Sequence, residues 1–353
     1  MKSLIVLALA AACALADDAG PASKPVTSQP ASAPAARFQI VKDSKVGFID
    51  SRGKIVVEPR SVLGARQWMD DYSEGLARFS VGGKCGFVDT AGVQVIEPKF
   101  DFADNFHEGL AAVQIGTKFG FIDRTGKMVI PAQFGGAWHF GDGLAPVWQG
   151  QKTGSPKFGL VNAKGQIVLP PVYYDEILPF GQGLARCRKD GLWGYLDKTG
   201  AVAIKPQFEA AEDFFEGFAA VQSKGKWGHI DRKGVCAVGF KYDSAARFSD
   251  GLAWAMLGKQ PGYVDTQGKM VVKLPADATG WRRFSEGLAP VRTMALWGYI
   301  DRTGKFVMEP KWIDAYPFDH GLARVGVSVN PNGGILKAGY IDHKGKYVYE
   351  PTE

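Results

Sequence analysis

The chain is poor in the residue types that build metal centres and disulfide frameworks. Of its 353 residues, 4 are cysteine and 5 are histidine. The histidines form no His-x-x-x-His pair and the cysteines no Cys-x-x-Cys pair, which are common spacings of zinc ligands. We therefore expect the protein to hold no metal ion and no cofactor.

Concentrated charge and catalytic motifs are also scarce. The formal net charge is +6 without a cluster of lysine and arginine, and nucleic-acid binding usually needs a concentrated basic face. We therefore expect no nucleic-acid partner. The sequence has no Gly-x-Ser-x-Gly motif. From Gly120 to Lys127 it approaches a phosphate loop, but Met128 stands in place of serine or threonine. We predict that the chain is not an enzyme.

The one long apolar run lies at the N-terminus. It extends from Leu4 to Ala16, follows Lys2 and is shorter than the roughly 20 residues that span a bilayer. This pattern predicts a signal peptide over residues 1–16. An alternative is lipidation at Cys13, because Ala10 to Cys13 resembles a lipobox that lacks the usual leucine. Both interpretations predict an exported protein that is periplasmic, secreted or an outer-membrane lipoprotein. Only the lipidated alternative adds a membrane contact, through its lipid anchor.

The segment after the signal is rich in alanine, proline and serine. Residues 17–36 show no apolar periodicity, so they cannot bury a core and are predicted to form a disordered linker. The remaining residues, 37–353, are predicted to form one repeat domain.

Two short phrases recur along this domain. The first is a glycine, two apolar or aromatic residues and an aspartate, and it occurs nine times in variant forms, with glycines at Gly47, Gly86, Gly120, Gly159, Gly194, Gly228, Gly262, Gly298 and Gly339. The second is Glu-Gly-Leu-Ala or a variant, with glycines at Gly75, Gly109, Gly143, Gly183, Gly217, Gly251, Gly287 and Gly321. A residue that recurs in every module builds the module, so the repeats indicate architecture rather than catalysis.

One module, from Gly109 to Pro131, predicts three strands. Residues 110–115 and 119–123 form the first two, and residues 127–130 form the third, which Pro131 ends. Between the second and third strands, Asp123 and Gly126 occupy the first and fourth places of a type I turn. The sequence therefore predicts an all-β array of about nine three-stranded β-meander modules of ~34 residues.

The tripeptides Lys226-Trp227-Gly228, Leu192-Trp193-Gly194 and Leu296-Trp297-Gly298 resemble the WG-repeat family of bacterial proteins. Three of the nine modules keep the tryptophan. The resemblance implies a noncatalytic repeat scaffold that is often exported.

The overall shape has two alternatives. We favour an open, curved solenoid, because propellers typically have 4–8 four-stranded blades and no strand is visibly divided between the termini. A propeller-like ring is the alternative.

Places where the modules differ indicate a binding surface. Two longer loops, Gln149–Lys157 and Ser328–Lys337, lie in the first predicted hairpin of their modules. A variable position also occurs two residues before a recurring aromatic. It predicts that Trp138 and Tyr316 are exposed, and aromatics of this kind stack on sugars or anchor proteins. The candidate ligand-binding residues are Trp138, His139, Trp148 and Tyr316.

Together these features predict an exported, noncatalytic repeat scaffold that binds a protein or glycan at the bacterial cell envelope. The alternative is a glycan-acting hydrolase whose carboxylates come from different repeats. That alternative requires two acids outside the repeat pattern, and the sequence shows no such pair.

Overall fold

The structure is a computed structural model that describes residues 37–42, 45–60, 72–150, 156–275, 277–328 and 336–352. Within these ranges every regular element is a β-strand, as the sequence predicts. No helix of the described residues is long and apolar enough to cross a membrane. The predicted signal peptide (1–16), the lipidation site Cys13 and the linker (17–36) lie outside the described residues.

The 34 strands form nine antiparallel sheets, numbered here as blades 1–9. Blades 1 and 2 have three strands: β1 (Phe38–Lys42), β2 (Lys45–Ile49), β3 (Ile55–Arg60); β4 (Leu76–Val81), β5 (Lys84–Asp89), β6 (Gln94–Phe100). Blades 3 to 5 comprise β7 (Phe102–Ala103), β8 (Leu110–Ile115), β9 (Lys118–Asp123), β10 (Met128–Phe134); β11 (Gly136–Ala137), β12 (Leu144–Trp148), β13 (Phe158–Asn162), β14 (Ile167–Tyr174); β15 (Glu176–Ile177), β16 (Leu184–Lys189), β17 (Leu192–Asp197), β18 (Val202–Phe208).

Blades 6 and 7 comprise β19 (Ala210–Ala211), β20 (Phe218–Ser223), β21 (Lys226–Asp231), β22 (Cys236–Tyr242); β23 (Ser244–Ser249), β24 (Leu252–Leu257), β25 (Gln260–Val264), β26 (Met270–Lys273). Blades 8 and 9 comprise β27 (Ala278–Trp281), β28 (Ala289–Thr293), β29 (Leu296–Ile300), β30 (Phe306–Trp312); β31 (Asp314–Ala315), β32 (Ala323–Ser328), β33 (Leu336–Ile341), β34 (Tyr347–Thr352).

The predicted three-stranded module is present, but seven blades carry a fourth strand that precedes it. In five of these blades this strand has two residues, such as Phe102–Ala103, which pairs with Gln114 and Val113 of β8. The third predicted strand is also longer than expected. It continues through Pro131 to Phe134, with shifts in the pairing register on both sides of Ile130. Proline is tolerated at such an irregularity because no regular ladder bond is required there.

The turn between the last two strands of every blade is closed as predicted. The Asp123 Oδ1 atom accepts hydrogen bonds from the backbone N–H groups of Thr125 (2.9 Å) and Lys127 (3.1 Å). The same pair of bonds reaches the side chains of Asp50, Asp89, Asn162, Asp197, Asp231, Asp265, Asp301 and Asp342. The turn role of these nine residues is confirmed.

The hydrophobic core lies between blades rather than within them. Phe121 and Ile130 of blade 3 share one buried cluster with Ala145, Val147 and Val161 of blade 4. Such clusters recur from blade to blade, because each two-sided sheet must bury both faces against its neighbours. The recurring aromatic contributes to them, as Phe140 packs 4.8 Å from Phe121, measured between ring centres.

Blade 9 packs against blade 1 in the same manner. The ring of Phe38 lies 5.4 Å from that of Tyr340, and both belong to one buried cluster with Leu322. Gly53 in the last turn of blade 1 faces Val348 of blade 9, as Gly126 of blade 3 faces Ile96 of blade 2. The modules therefore close into a nine-bladed β-propeller.

The favoured open solenoid was wrong, and the propeller-like ring is correct. The sequence shows no strand divided between the termini, and none of the described strands is shared between blades 9 and 1. The ring closes by packing the faces of blades 9 and 1 against each other, so the closing contact uses the surfaces that join other neighbouring blades.

Candidate functional site

The Glu-Gly phrase forms the tight turn that begins the three-stranded part of a blade. In blade 3, His107 and Leu110 exchange backbone hydrogen bonds of 2.9 and 3.1 Å. Glu108 and Gly109 between them have φ values of 55° and 77°. Two positive φ values define a type I′ turn. Such a conformation costs a residue other than glycine about 1–2 kcal/mol, so the glutamate requires a compensating interaction.

The compensating interaction crosses to the next blade. The Glu74 carboxylate accepts hydrogen bonds from the backbone N–H groups of Glu108 (2.6 Å) and Gly109 (2.9 Å). Equivalent bonds join each turn to its successor as far as Gly321, and their acceptors are Glu74, Glu108, Asp142, Gln182, Glu216, Asp250 and Glu286. Seven links thus fix eight turns in a row along one end of the ring. We call this end the turn face.

The variable positions lie in the segments that run from the first strand of a blade to its Glu-Gly turn, and so close to the turn face. At two of them, the residue that follows contacts the residue before the glutamate of the preceding blade's turn. His139 stacks on His107 with ring centres 4.2 Å apart, and the guanidinium carbon of Arg247 lies 3.8 Å from the ring centre of Phe215. Both His107 and Phe215 immediately precede the glutamate of a turn.

Trp138 is exposed, as predicted. Its side chain is 36% accessible, and its backbone N–H donates a 2.9 Å hydrogen bond to the Pro146 carbonyl of the adjacent strand. His139 beside it points its Nδ1 at Asp104, 3.6 Å away. Burial would raise the pKa of Asp104, but the hydrogen bond with His139 and that from the Asn105 amide hold it below its ordinary value. Burial, and then the charge of His139, lowers the pKa of His107.

Trp148 is a core residue rather than a surface residue. It is 8% accessible and packs against Phe158, with ring centres 4.9 Å apart. Its indole also lies against the backbone of Gly136, where a side chain would collide with it. The ring of Trp138 lies 6.3 Å away. Trp148 therefore packs near the exposed Trp138 without being a surface residue, and ligand binding by Trp138 and His139 stays a prediction.

Tyr316 is half-buried, so the prediction of its exposure was wrong. The guanidinium of Arg282, from the preceding blade, lies 4.2 Å from its ring centre, and that of Arg324 lies 5.5 Å away. Arg282 also lies 5.0 Å from the ring of Trp297. Tyr316 belongs to blade 9, so the structure does not bring it together with the aromatic residues of blade 4.

Four arginines of blades 7 to 9 were missed as candidates, and two of them, Arg282 and Arg324, lie against Tyr316: Arg247, Arg282, Arg283 and Arg324. They lie 77 positions apart in the chain at most, but blades 7 to 9 place them in succession. One signal was available, because an arginine follows Leu-Ala at Arg78, Arg186 and Arg324. The partners of an arginine at this position come from the neighbouring blade, which the sequence alone does not identify.

The two longer loops join the second and third strands of their four-stranded blades, between β12 and β13 and between β32 and β33, which form the first hairpin of the predicted meander. They therefore leave the end of the ring opposite the turn face. Residues 151–155 and 329–335 of these loops lie outside the described residues, and their role in binding stays a prediction.

The described residues contain no group of three or more histidine, cysteine, aspartate or glutamate side chains that could hold a metal ion. The repeated acids have structural partners instead. The Asp197 carboxylate accepts the hydroxyl hydrogen of Thr199 at 2.6 Å, and this bond, followed by the Thr199 amide, lowers the pKa of Asp197. Asp123 and Asp301 have the same arrangement with Thr125 and Thr303.

Sequence comparison identifies the family. The WG containing repeat matches residues 86–118, 119–152, 158–193, 193–227, 227–260 and 297–327, which is more than half of the chain. The protein belongs to the WG-repeat family, and its fold is that of a repeat scaffold. No curated protein matches the chain in sequence.

The solved structures that resemble this one are distant in sequence. A eukaryotic initiation factor has a TM-score of 0.59 at 9% identity, covering 89% of this chain and 95% of its own. The dihydro-heme d1 dehydrogenase NirN in complex with DHE has a TM-score of 0.46 at 15% identity, with coverages of 78% and 73%. Hsv2 of Kluyvelomyces marxianus has 0.40 at 9% identity, with coverages of 77% and 92%. At 9% identity the likeness to the initiation factor shows the fold alone.

Proposed function

We propose that the protein is an exported, noncatalytic scaffold that binds a glycan or a protein of the bacterial cell envelope through the turn-face side of its ring. The observation that carries this proposal is that repeated and variable side chains differ in their contacts. Repeated polar residues bond within the scaffold, whereas the variable positions differ from blade to blade and include the exposed Trp138.

The repeated acids support a noncatalytic role. The nine turn residues between the last two strands of each blade hold their own turn closed, as Asp123 does. The acidic side chains of the Glu-Gly turns accept hydrogen bonds from the turn of the next blade, as Glu74 does. A catalytic pair needs two carboxyl groups free to face a substrate, at about 5–10 Å separation in glycosidases. The hydrolase alternative has no specific observation in its favour.

The exposed indole of Trp138 favours a glycan over a protein. Its neighbour His139 adds a polar ring that is half-buried against His107 and Asp104. A flat apolar ring beside a hydrogen-bonding group matches a sugar, which has apolar ring faces and a polar edge. Export is supported by the predicted signal over residues 1–16.

A retention assay tests this function. The protein without residues 1–16 is incubated with washed peptidoglycan sacculi, and separately with detergent-solubilised envelope proteins. We expect retention on sacculi that Trp138→Ala weakens. Val172→Ala, which trims an exposed apolar side chain on another strand, is the matched control and should leave retention unchanged.

Other results would change the proposal in defined ways. A specific envelope protein captured while sacculi stay bare would make the partner a protein. Release of soluble sugar from sacculi by the purified protein would contradict the noncatalytic role. Absence of retention in both fractions would contradict envelope binding.

A further inference from the structure

Blades 7, 8 and 9 present arginines in succession on the turn-face side of the ring. Arg247 follows the variable position of blade 7, Arg282 and Arg283 occupy and follow that of blade 8, and Arg324 lies on β32 of blade 9. The ring of Tyr316 lies between two of them, 4.2 Å from the Arg282 guanidinium and 5.5 Å from that of Arg324. We call the four arginines and Tyr316 the arginine sector.

The positive charge of the arginine sector is only partly neutralised within the protein. Asp314 accepts a 2.8 Å hydrogen bond from Arg282. Arg283 and Arg324 are exposed, and no carboxylate of the described residues lies within salt-bridge distance of either. Burial, and then the charge of Arg283, lowers the pKa of Arg247, while the charges of Asp213 and Glu212 act in the opposite direction.

Arg186 provides a comparison, because its guanidinium is bonded to groups of the protein itself. Arg186 packs over Trp193, as Arg282 packs over Trp297. Arg186 bonds both oxygens of Asp213, at 2.6 and 3.2 Å, and also donates to the Ala211 carbonyl. Arg282 has one bond to Asp314, and its Nε has no partner. Arg282 is therefore paired by fewer bonds than Arg186 is at the interface of blades 5 and 6.

Unpaired guanidinium groups beside an aromatic ring define the chemistry of a ligand. A guanidinium presents parallel N–H donors that match the two oxygens of a carboxylate, and such charged bonds are the stronger ones. Tyr316 is half-buried and packs against the guanidinium groups of Arg282 and Arg324, so its ring helps to hold them in place. Because the arginines lie on three successive blades, the sector suits an extended ligand that carries anionic groups on repeated units.

We propose that the arginine sector binds a carboxylate-bearing polysaccharide. The inference rests on the proposed function and narrows its ligand from a glycan in general to an acidic glycan. It also separates this surface from Trp138 and His139, because the variable positions of blades 3 to 6 carry Asp104, Trp138, Leu178 and Glu212 and include no arginine.

The test uses a soluble polyuronate, oligogalacturonate, and the same oligosaccharide after methyl esterification, which removes its charge but keeps its sugar rings. The protein without residues 1–16 is titrated with each. We expect binding to the acidic form, weakening with added salt, and little binding to the ester. The double variant Arg283→Gln/Arg324→Gln should bind the acidic form about tenfold or more weakly, because charged hydrogen bonds are lost. Arg52→Gln, at an exposed turn of blade 1, is the matched control and should bind as the wild type does.

Three results would overturn the inference: no binding of the acidic form, equal binding by the double variant, or equally tight binding of double-stranded DNA, which would indicate a general polyanion surface. Equal melting temperatures of wild type and double variant establish that both are folded, as expected for two exposed side chains. Retention on sacculi separates the two proposals. If sacculi retain the protein while the polyuronate does not bind, the acidic-glycan inference fails and the proposed function stands.

Discussion

The hydroxyl of Tyr340 donates a 2.7 Å hydrogen bond to the backbone carbonyl of Gln39, which lies 301 residues earlier in the chain. Tyr195, Tyr263 and Tyr299 occupy the same place in their modules, and each donates to a carbonyl of the following blade. The Tyr340 bond is therefore a blade-to-blade bond made between the last blade and the first.

This relationship predicts that blade 9 and blade 1 depend on each other for stability. Tyr340→Phe should lower the free energy of unfolding by about 1 kcal/mol, because it leaves the Gln39 carbonyl without this donor. Tyr299→Phe removes the equivalent bond to Tyr316, between blades 8 and 9, and should cost about the same. Urea unfolding measures both. A neutral Tyr340→Phe beside a destabilising Tyr299→Phe would contradict closure.

The hydrogen bonds between successive Glu-Gly turns predict the relative stabilities of three variants at Glu216. Its carboxylate accepts 2.8 Å hydrogen bonds from the amides of Asp250 and Gly251, while its own φ is 51°. Glu216→Gln should be tolerated, because Gln182 makes the equivalent bond in blade 5. Glu216→Gly loses the bonds but relieves the strained backbone, whereas Glu216→Ala loses the bonds and keeps the strain. We expect alanine to be less stable than glycine by about 1 kcal/mol in thermal unfolding. The reverse order would contradict the backbone strain that its positive φ assigns to residue 216.

His229 predicts a loss of stability in acid. It is fully buried in the place of the inter-blade tyrosine, its Nε2 lies 2.8 Å from the Ala246 carbonyl, and burial lowers its pKa. The folded state therefore binds a proton less readily than the unfolded state, whose histidine has a pKa of about 6.5. Stability from neutral His229 is present above that pH and falls as the pH drops below it towards the folded-state pKa.

His229→Tyr tests this dependence with a side chain that the fold already uses at Tyr195. Urea unfolding at a series of pH values below neutrality should show a shallower loss of stability in the variant. His107 also has a pKa lowered by burial, so part of the slope should remain. Identical slopes in wild type and variant would contradict the assignment.

Truncation of the two tryptophans of blade 4 should lower stability by very different amounts. Trp148→Ala opens a cavity in the core of blade 4 and should destabilise the protein by about 3–5 kcal/mol. Trp138→Ala removes a partly exposed ring and should cost about 1 kcal/mol or less. Thermal unfolding distinguishes them. A large loss from Trp138→Ala would show that its ring is core and would remove it from the binding surface.

The sequence predicted the features that depend on residues close together in the chain. Asp123 and Gly126 identify their turn because its geometry involves four successive residues. The spacing of the glycines likewise identified the three-stranded module. The two-residue strand Phe102–Ala103 was missed because a strand of that length shows no alternation of apolar and polar residues.

The features that depend on neighbouring blades could not be predicted in the same way. Closure rests on contacts such as that between Phe38 and Tyr340, and no local pattern encodes them. Tyr316 is half-buried because Arg282 of the preceding blade covers it. Variation at a position indicated exposure correctly for Trp138 but not for Tyr316, since a variable residue can also pack against a variable neighbour.

The most direct test of the account is a distance measurement across the closing interface. Spin labels on cysteines at Arg52 and Lys346, both exposed and flanking the contact between Gly53 and Val348, report the separation of blades 1 and 9. Labels at Thr303 and Lys269 flank the equivalent contact between Gly304 and Val272 of blades 8 and 7, and serve as the reference pair. Because packed sheets lie about 10 Å apart, the closed nine-bladed ring predicts similar short distances for both pairs. A short reference distance beside a much longer one for Arg52 and Lys346 would contradict the closed ring.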